Sequence, residues 1–420
     1  MVSVAIDEGP LHGPRTGIGN AVAWLFDALA GLAEPSGNES SRTGDDRSGS
    51  GADADGPSAR RLELLPYLTS MRATVTAPTR RLPLPAAVAH RVWSRTGAVP
   101  MDRFLGRPDV VHGTNYVVPP ARCPRLVTVY DCWFLDHPDD AHPDVARAGR
   151  VLRRSVADGA HVVTSSEATA DRVRELLDTE RVTAVHLGPP PSSRTPQPSR
   201  TSPAHHGSGP PTDALPVDAL PVDAAPVDAP PVAGQLVGAP FVVSLGTVER
   251  RKNHGVLVAA FDRLAREHPT VRLVVAGGPG DASDDLASAL GRLGPATAAR
   301  VHVLGRVDET TKDWLLANGS AVAYPSLDEG FGFPVLEAQQ AGVPVVASSA
   351  GSIPEVAGTG ALLSAPSDVD ALAANLHWVI TSDSKRADLV ERGRHNLDRF
   401  SWERTAAAHL ALYERLAASA

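Results

Sequence analysis

The stretch Tyr324-Pro-Ser-Leu-Asp-Glu-Gly-Phe-Gly-Phe-Pro-Val-Leu-Glu337 carries most of what this chain indicates about its function. The apolar residues 321–324 predict a short buried strand, the glycines free the backbone of the following turn, and Pro334 suits the first position of a helix. The backbone amides of residues 331–333 would then lie at a helix N-terminus, which is a prepared anion site. A strand, a glycine turn and a helix in this order indicate an α/β protein with a ligand site at the turn.

Two carboxylates flank the turn, Glu329 at its start and Glu337 about one turn into the predicted helix. Side chains near the start of a helix tilt toward its N-terminus, so Glu337 can point toward the same edge of the sheet as Glu329. The two glutamates are then candidates for a binding site. The spacing alone fits two solvated surface charges equally well.

Short apolar runs alternate with longer, often amphipathic segments through most of the chain. Such runs, joined by long connections, are typical of parallel sheets covered by helices on both faces. The sequence therefore predicts an α/β fold with two sheets, separated by a proline-rich tract. The predicted strands are 2–5, 62–65, 110–111, 126–130, 161–164 and 182–185 before the tract, and 241–245, 271–276, 301–304, 321–324 and 343–347 after it.

Length and composition set limits on the class of protein. The chain has 420 residues, more than a single hydrophobic core usually organises, so two domains are expected. The net charge of −8 gives no basic field for nucleic acid, and no apolar run reaches the roughly 18 residues of a membrane span. Only two cysteines occur, and the first residues predict a strand without a basic signal region, so we expect a cytoplasmic protein.

Two segments have compositions that cannot bury a core. Residues 35–60 are mostly Gly, Ser, Asp and Arg and predict a disordered loop. Residues 189–238 are rich in Pro, Ala and Asp and repeat the pattern Leu215-Pro-Val-Asp-Ala219, which is typical of an extended tether. We therefore place a first domain at 1–188, a low-complexity linker at 189–238 and a second domain at 239–400.

A cationic cluster follows the first strand after the tract, in Ser244-Leu-Gly-Thr-Val-Glu-Arg-Arg-Lys-Asn-His254. Arg251 and Lys252 lie at the carboxyl end of that strand, where α/β sheets bind ligands. A guanidinium and an ammonium there suit an anionic ligand, the first through paired hydrogen bonds and the second as a point charge. A basic triplet in a loop is also a common solvated surface patch.

The glutamate turn resembles the E-x7-E signature of retaining glycosyltransferases of family GT4. The resemblance continues through Ala341-Gly-Val-Pro-Val-Val-Ala347 and Ile353-Pro-Glu-Val-Ala357, and Gly246-Thr-Val-Glu-Arg-Arg-Lys-Asn253 resembles a mannosyltransferase-like subgroup. It implies the GT-B fold, in which two Rossmann-like, doubly wound parallel-sheet domains face a central cleft. It also implies that a closing helix, here within 401–420, crosses back to the first domain.

The resemblance also assigns roles to single residues. Glu337 would hold the ribose of a nucleotide diphosphate sugar, Glu329 the hydroxyls of the donor sugar, and Arg251 with Lys252 the diphosphate. The catalytic candidates are thus Glu329, Arg251 and Lys252. The candidates for donor binding are Glu337, Phe331, Gly332, Phe333, Gly246, Gly277, Arg306, Val307, Gly17 and Gly19.

No metal and no cofactor are implied, because in such enzymes the nucleotide diphosphate sugar is a co-substrate. GDP-mannose is the first donor to test, on the subgroup resemblance alone. The reaction implied is transfer of a hexosyl group to a hydroxyl acceptor in the synthesis of a glycan, polysaccharide or glycolipid.

The first domain is expected to hold a sugar or lipid-linked acceptor. Asn115, Tyr130 and Asp131 follow predicted strands with polar groups, as an open sugar-binding face requires. The family usually has histidine where this chain has Tyr130, which removes a group that titrates near neutral pH. This departure leaves a second hypothesis open, a catalytically silent GT-B scaffold that binds a nucleotide sugar or a protein partner. Asp131 is equally suited to capping the next turn.

Residues 80–95 are basic and apolar together, with four arginines among Leu, Pro, Val and Trp. Such a segment suits peripheral contact with an anionic membrane surface, here the inner face of the membrane. It equally fits a surface helix that packs Val88, Val92 and Trp93 inward.

Overall fold

The computed structural model describes residues 1–12, 16–33, 62–70, 73, 77–96, 99–139, 142–191 and 230–419. The loop predicted at 35–60 lies outside these residues, as does most of the predicted linker. The chain forms two compact units. The first comprises Met1–Pro189, Glu329–Phe333 and Arg399–Ala420, and the second comprises Pro190–Asp328 and Pro334–Asp398.

A seven-stranded parallel sheet forms the centre of the first unit, with the strand order β3-β2-β1-β4-β5-β6-β7. Except in the short edge strand β3, valine, leucine and isoleucine pack these strands against the rest of the unit, as expected of a parallel sheet. The strands are β1 (Val2–Asp7), β2 (Leu62–Leu68), β3 (Arg80–Arg81), β4 (Val110–Gly113), β5 (Arg125–Val129), β6 (His161–Thr164) and β7 (Val182–Ala184). The helices that precede the second unit are α1 (Gly17–Ala33), α2 (Ala86–Trp93), α3 (Asp102–Leu105), α4 (Trp133–Asp136), α5 (Pro143–Ala157) and α6 (Glu167–Leu177).

A six-stranded parallel sheet with the order β10-β9-β8-β11-β12-β13 forms the second unit. Two apolar clusters cover its two faces, one around Phe261 and Leu376, the other around Phe241 and Val335. The strands are β8 (Phe241–Leu245), β9 (Arg272–Ala276), β10 (Val301–Gly305), β11 (Ala321–Tyr324), β12 (Val345–Ser348) and β13 (Ala361–Ser364). The helices are α7 (Ala233–Leu236), α8 (His254–Glu267), α9 (Ser283–Gly291), α10 (Pro295–Ala298), α11 (Glu309–Asn318), α12 (Phe333–Ala341), α13 (Ile353–Ala357), α14 (Val369–Thr381) and α15 (Asp383–Leu397).

The last helix, α16 (Trp402–Ala418), belongs to the first unit. Ser401 begins it, because the Ser401 hydroxyl accepts a hydrogen bond from the amide of Arg404 at 3.1 Å. Its buried face, with Leu410 and Tyr413, joins Val4 and Leu25 in the core beneath the first sheet. None of the described helices is long and apolar enough to cross a membrane.

The two parallel sheets predicted from the sequence are confirmed, with differences at some boundaries. Helix α1 begins at Gly17, because Thr16 accepts bonds from the amides of the first turn. Helix α12 begins at Phe333, one residue before the proline that was expected to open it. Strands β3 and β13 were not predicted, since one is a pair of arginines and the other is a short run.

The predicted linker ends earlier than residue 238. Helix α7 lies within its last residues, and Leu236 is 1% exposed in the core of the second unit. The end of the tract therefore does bury apolar surface, contrary to the expectation from its composition. The average composition of the tract did not reveal its few apolar residues at 233–236, which suffice for one helical turn.

Candidate functional site

The cationic loop of the second unit is a single 3-10 turn, Arg250–Lys252, between β8 and α8. The carbonyl of Arg251 accepts a hydrogen bond of 2.6 Å from the amide of Leu327. The Asn253 side chain donates to the carbonyls of Pro325 (3.1 Å) and Pro366 (2.7 Å). These bonds fix the loop against the segment that leaves β11, which is where the glutamate turn begins.

Lys252, one of the two predicted phosphate-binding cations, contacts the end of β11. Its Nζ donates a 2.6 Å hydrogen bond to the Tyr324 hydroxyl and lies 4.7 Å from the centre of that ring. Tyr324 is 2% exposed at the end of β11, so the contact holds the ammonium at the carboxyl edge of the sheet. Arg251 is less available than predicted, because its Nε donates to the carboxylate of Glu249 at 2.9 Å.

Two glycine turns meet beside this lysine. A Cβ on Gly277 would lie 1.7 Å from the carbonyl oxygen of Gly246, so only glycine permits the two backbones to approach. Gly246 itself has φ +124, a conformation that side chains rarely allow. A Cβ on Gly246 would lie 3.7 Å from Nζ of Lys252. The structure thus brings Gly246, Gly277 and Lys252 together at the carboxyl ends of β8, β9 and β11.

Arg306 lies beside the second of these turns. The guanidinium approaches to 3.6 Å of the position that a Cβ would take on Gly278. The backbone of β10 is irregular just before it, where Gly305 has φ +67. Val307 instead packs partly buried against the core of the second unit, so its side chain serves packing.

His254 is a site residue that sequence reasoning missed. It is the first residue of α8, directly after the cationic loop, and 4% exposed. Burial, with a smaller contribution from Lys252, lowers its pKa to about 4, so the ring is neutral at pH 7. Its Nδ1 is buried and has no hydrogen-bond partner among the described residues. A ligand group at this edge would find an unsatisfied imidazole nitrogen there.

Glu337 has a partner that the sequence did not reveal. The Nζ of Lys312, on α11, lies 2.8 Å from Oε1 of Glu337 and 2.7 Å from the exposed carboxylate of Glu309. Burial alone would lower the pKa of Lys312, but the two carboxylates more than offset it and raise the pKa. Glu337 is therefore held in place as an ion pair, with its side chain 15% exposed.

The glutamate turn itself, Glu329–Phe333, belongs to the first unit. Glu329 is buried, at 5% exposure. The carbonyl of Gly330 accepts three hydroxyl hydrogen bonds, from Ser165 (2.9 Å), Ser166 (2.8 Å) and Thr169 (3.2 Å). These three hydroxyls lie between β6 and the start of α6, and no sequence signal linked them to the turn.

Aromatic side chains complete the environment of the turn. Phe331 contacts Phe333 and Phe400 edge to face, with ring centres 5.3 and 5.8 Å apart. Phe333 contacts Trp24 on α1 in the same manner at 5.6 Å. Gly332 between them has φ +93, which glycine accepts readily. The side chains of Phe331 and Phe333 therefore pack the turn into the first unit. This packing does not depend on any ligand that their backbone amides bind.

Gly17 and Gly19 lie in the first turn of α1 rather than in a loop before it. The amide of Gly19 donates to the Thr16 hydroxyl at 3.2 Å, which caps the helix. Among the residues that the structure describes, no atom lies within 4 Å of where a Cβ on Gly17 would be.

The three acceptor-side candidates differ in their surroundings. Asn115 has a buried Oδ1 with no hydrogen-bond partner in the described part of the chain. Tyr130 is 8% exposed, and burial raises the pKa of its phenol far above neutrality. Asp131 accepts a 3.2 Å hydrogen bond from the amide of Trp133, so it caps the turn that begins α4. Of the three candidates, Asn115 is thus the one with a buried side-chain oxygen that lacks a hydrogen-bond partner among the described residues.

Comparison with known proteins bears on the second unit most directly. Residues 232–396 match the family described as "Glycosyl transferases group 1". The chain is 34% identical over 182 residues to O-antigen chain mannosyltransferase B of Escherichia coli, a match covering 43% of this chain and 48% of that protein. It is 32% identical over 169 residues to phosphatidyl-myo-inositol mannosyltransferase of Mycolicibacterium smegmatis, covering 40% and 42%. The matches span less than half the length of these relatives.

Solved structures match the whole chain at low identity and establish the fold. Sucrose-phosphate synthase from Thermosynechococcus elongatus aligns with a TM-score of 0.65 at 17% identity, over 100% of both chains. Anabaena HepE, solved in complex with UDP and glucose, aligns with a TM-score of 0.62 at 15% identity, over 99% and 100%. With its two parallel-sheet α/β units, the chain has the GT-B fold.

Proposed function

Because residues 232–396 match the group 1 glycosyltransferase family, we propose that this chain transfers a hexosyl group from a nucleotide diphosphate sugar to a hydroxyl acceptor with retention of configuration. The observation that carries this function is the position of Lys252. Its ammonium is anchored to Tyr324 beside the touching backbones of Gly246 and Gly277. A cation beside a glycine-lined surface at the carboxyl ends of parallel strands suits a diphosphate.

Charge on the leaving group determines what the protein must supply. As the glycosidic bond of the donor breaks, the departing diphosphate gains negative charge, which fixed cations and amide dipoles stabilise. Lys252 and Arg251 supply the charge in this scheme, and Glu337 holds the nucleotide ribose. We assign no role to a metal, so EDTA should leave the turnover rate unchanged.

The acceptor attacks on the face that the leaving group vacates. The departing phosphate takes the acceptor proton, so no protein nucleophile is needed. Glu329 positions the hydroxyls of the donor sugar. Exclusion of water from the site favours transfer over hydrolysis of the donor.

We propose mannose from GDP-mannose as the donor substrate, supported by two similar proteins that are named mannosyltransferases. A thermal-shift comparison of GDP, UDP and ADP tests the base, because a ligand that binds only the folded state raises the melting temperature. GDP should give the largest rise. A larger rise with UDP or ADP would exclude GDP-mannose while leaving hexosyl transfer intact.

Substitution of the anchored lysine tests the function itself. Lys252→Ala should lower kcat/KM for the donor by several orders of magnitude in a chain with unchanged melting temperature, since the leaving-group charge loses its fixed cation. Lys385→Ala is the matched control, because Lys385 also lies over an aromatic ring, Trp378, on the surface. Full turnover by Lys252→Ala would exclude this mechanism.

The rival function is a silent GT-B scaffold, which the buried Tyr130 favours. The phenol is neutral near pH 7 and replaces a histidine of the resembled family. Transfer and hydrolysis assays with GDP-, UDP- and ADP-sugars separate the two functions. Binding of a nucleotide without turnover of any donor sugar would establish the scaffold.

For the acceptor we propose a lipid-linked hydroxyl presented at an anionic membrane surface. Helices α2 and α5 of the first unit border a cavity of about 560 Å³ lined by Arg91, Arg95, Arg147 and Arg150. On α2, Val88 is 47% exposed, while the side chain of Trp93 packs inward. Guanidinium groups bind phosphate by paired hydrogen bonds, and an exposed valine suits the membrane interface.

Co-sedimentation with vesicles containing 30% phosphatidylglycerol tests this surface. The Arg91→Ala, Arg95→Ala double variant should lose most of the bound fraction, since each arginine near an anionic surface contributes about 1 kcal/mol. Arg392→Ala, Arg394→Ala removes the same charge from α15 and should bind as the native chain does. If Arg91→Ala, Arg95→Ala binds the vesicles as well as Arg392→Ala, Arg394→Ala does, the proposed membrane contact is wrong. The proposed transfer reaction does not depend on this result.

A further inference from the structure

Three metal-ligand side chains converge on the surface of the second unit, at the end of α8 remote from the cationic loop. Glu267 and His268 lie at the C-terminus of α8, and His377 lies on α14. The Nδ1 of His377 is 3.0 Å from Nε2 of His268 and 3.0 Å from Oε2 of Glu267. All three ligand atoms lie within 4.8 Å of one another.

Hydrogen bonds among these three side chains alone cannot pair every ligand atom. A single ring nitrogen carries either one proton or one lone pair. If Nδ1 of His377 is protonated, it has one hydrogen for two acceptors at equal distance, the imidazole and the carboxylate. If it is unprotonated, its lone pair faces the carboxylate of Glu267. A cation between the three atoms satisfies all three lone pairs at once.

The positions of the ligands are set by the fold. Helices α8 and α14 pack through Phe261, Leu264 and Leu376 in one core cluster. The carbonyl of His268 accepts a 3.0 Å hydrogen bond from Arg300, which fixes the end of α8. The backbone at this point is thus held by packing and hydrogen bonds, so a metal would not have to organise it.

We propose that Glu267, His268 and His377 bind a zinc ion that bridges α8 and α14, with water as the fourth ligand. Two imidazoles and one carboxylate form a ligand set that zinc favours, whereas magnesium and calcium prefer oxygen ligands alone. His377 and Glu267 are 39% and 67% exposed, so water can reach the open position.

The role of the ion is to stabilise the second unit. Helix α8 starts just after Lys252 and runs for 14 residues, which places its far end about 20 Å from the cationic loop. An ion there cannot touch a donor diphosphate bound at Lys252. It would raise the melting temperature without entering the reaction.

Titration of the metal-depleted full chain with zinc chloride, followed by calorimetry and thermal unfolding, tests the site. One zinc should bind per chain, and the melting temperature should rise by about 5 °C at a hundredfold excess over Kd. Magnesium chloride at the same concentration should give no shift. Turnover at 25 °C should be the same with and without zinc.

The variants identify the ligands. His377→Gln should abolish zinc binding and Glu267→Gln should weaken it at least tenfold, while both match the native melting temperature in EDTA. His395→Gln is the matched control, because Nδ1 of His395 lies 3.6 Å from Glu391 but belongs to no three-ligand group in the part of the chain that the structure describes. Failure of the native chain to bind zinc at 100 µM, or native binding by His377→Gln, would overturn the site.

Discussion

The carbonyl oxygen of Gly330 accepts a 2.8 Å hydrogen bond from the hydroxyl of Ser166. The hydroxyls of Ser165 and Thr169 donate to the same oxygen, so three hydroxyls converge on one peptide of the glutamate turn. A Cβ on Gly330 would lie 1.5 Å from the carbonyl oxygen of Tyr130. The turn that carries Glu329 is thus fixed by hydrogen bonds on one side and by backbone contact on the other.

Gly330→Ala should displace this turn, because no side chain can occupy the space next to the Tyr130 carbonyl. A displacement of about 1 Å in a positioning element lowers a reaction rate by roughly a hundredfold, so we expect at least that loss in kcat/KM for the donor. Gly31→Ala is the control, since no described atom lies within 4 Å of the added Cβ in α1 and alanine favours helix. Native turnover by Gly330→Ala would show that the turn does not position the donor.

Ser165→Ala removes one of the three bonds to Gly330 and, unlike a change at Ser166, leaves the cap of α6 intact. Loss of a buried hydrogen bond costs about 1 kcal/mol, or a fall in melting temperature of roughly 2–4 °C for a unit of this size. We expect that fall together with a severalfold rise in KM for the donor. An unchanged melting temperature and KM would mean that the other two hydroxyls suffice.

Lys312→Met should raise the KM for the donor about tenfold, equivalent to ~1.4 kcal/mol, with a smaller effect on kcat. The lysine pairs with Glu337, and without it that carboxylate loses the partner that orients it. Glu309→Gln is a matched control, because Glu309 contacts the same lysine but is 81% exposed, where ion pairs contribute little. Steady-state kinetics with varied donor distinguishes the two variants, and an equal KM in both would contradict the assignment of Glu337.

The sequence predicted the parts of the site that depend on local pattern. The strand 321–324, the glycine turn and the placement of Lys252 beyond β8 follow from alternation and turn chemistry within a few residues. The contact of Gly246 with Gly277 was not predicted, because a glycine indicates a turn but not which backbone approaches it.

The partners of the site residues could not be predicted in the same manner. Lys312 is 25 residues from Glu337, and Ser166 is 164 residues from Gly330. Nothing in a single serine or lysine indicates which distant backbone it will meet, because that depends on how elements pack. The burial of His254 could not be predicted for the same reason, because burial depends on how the whole unit packs.

Asp7 should make the first unit less stable as pH rises through neutrality. Burial raises the pKa of this carboxyl from 3.8 to about 7, although the amide of Gly9 donates to it at 3.0 Å and lowers the pKa in part. Between pH 4 and pH 7 the folded chain therefore holds a proton that the unfolded chain has released, so the free energy of unfolding falls as pH increases. Glu8 and His12, the neighbouring charged groups, modify this pKa less than burial does.

Asp7→Asn should remove that pH dependence, because the amide oxygen still accepts the hydrogen bond from Gly9 but cannot ionise. Melting temperatures measured at pH 5.0 and pH 7.5 give the test: the fall between the two should be smaller in Asp7→Asn than in the native chain. Asp370→Asn, at a carboxyl whose side chain is 85% exposed, serves as the control and should keep the native difference. If Asp7→Asn also keeps that difference, Asp7 ionises alike in the folded and unfolded chain, and its burial at the end of β1 carries no electrostatic cost.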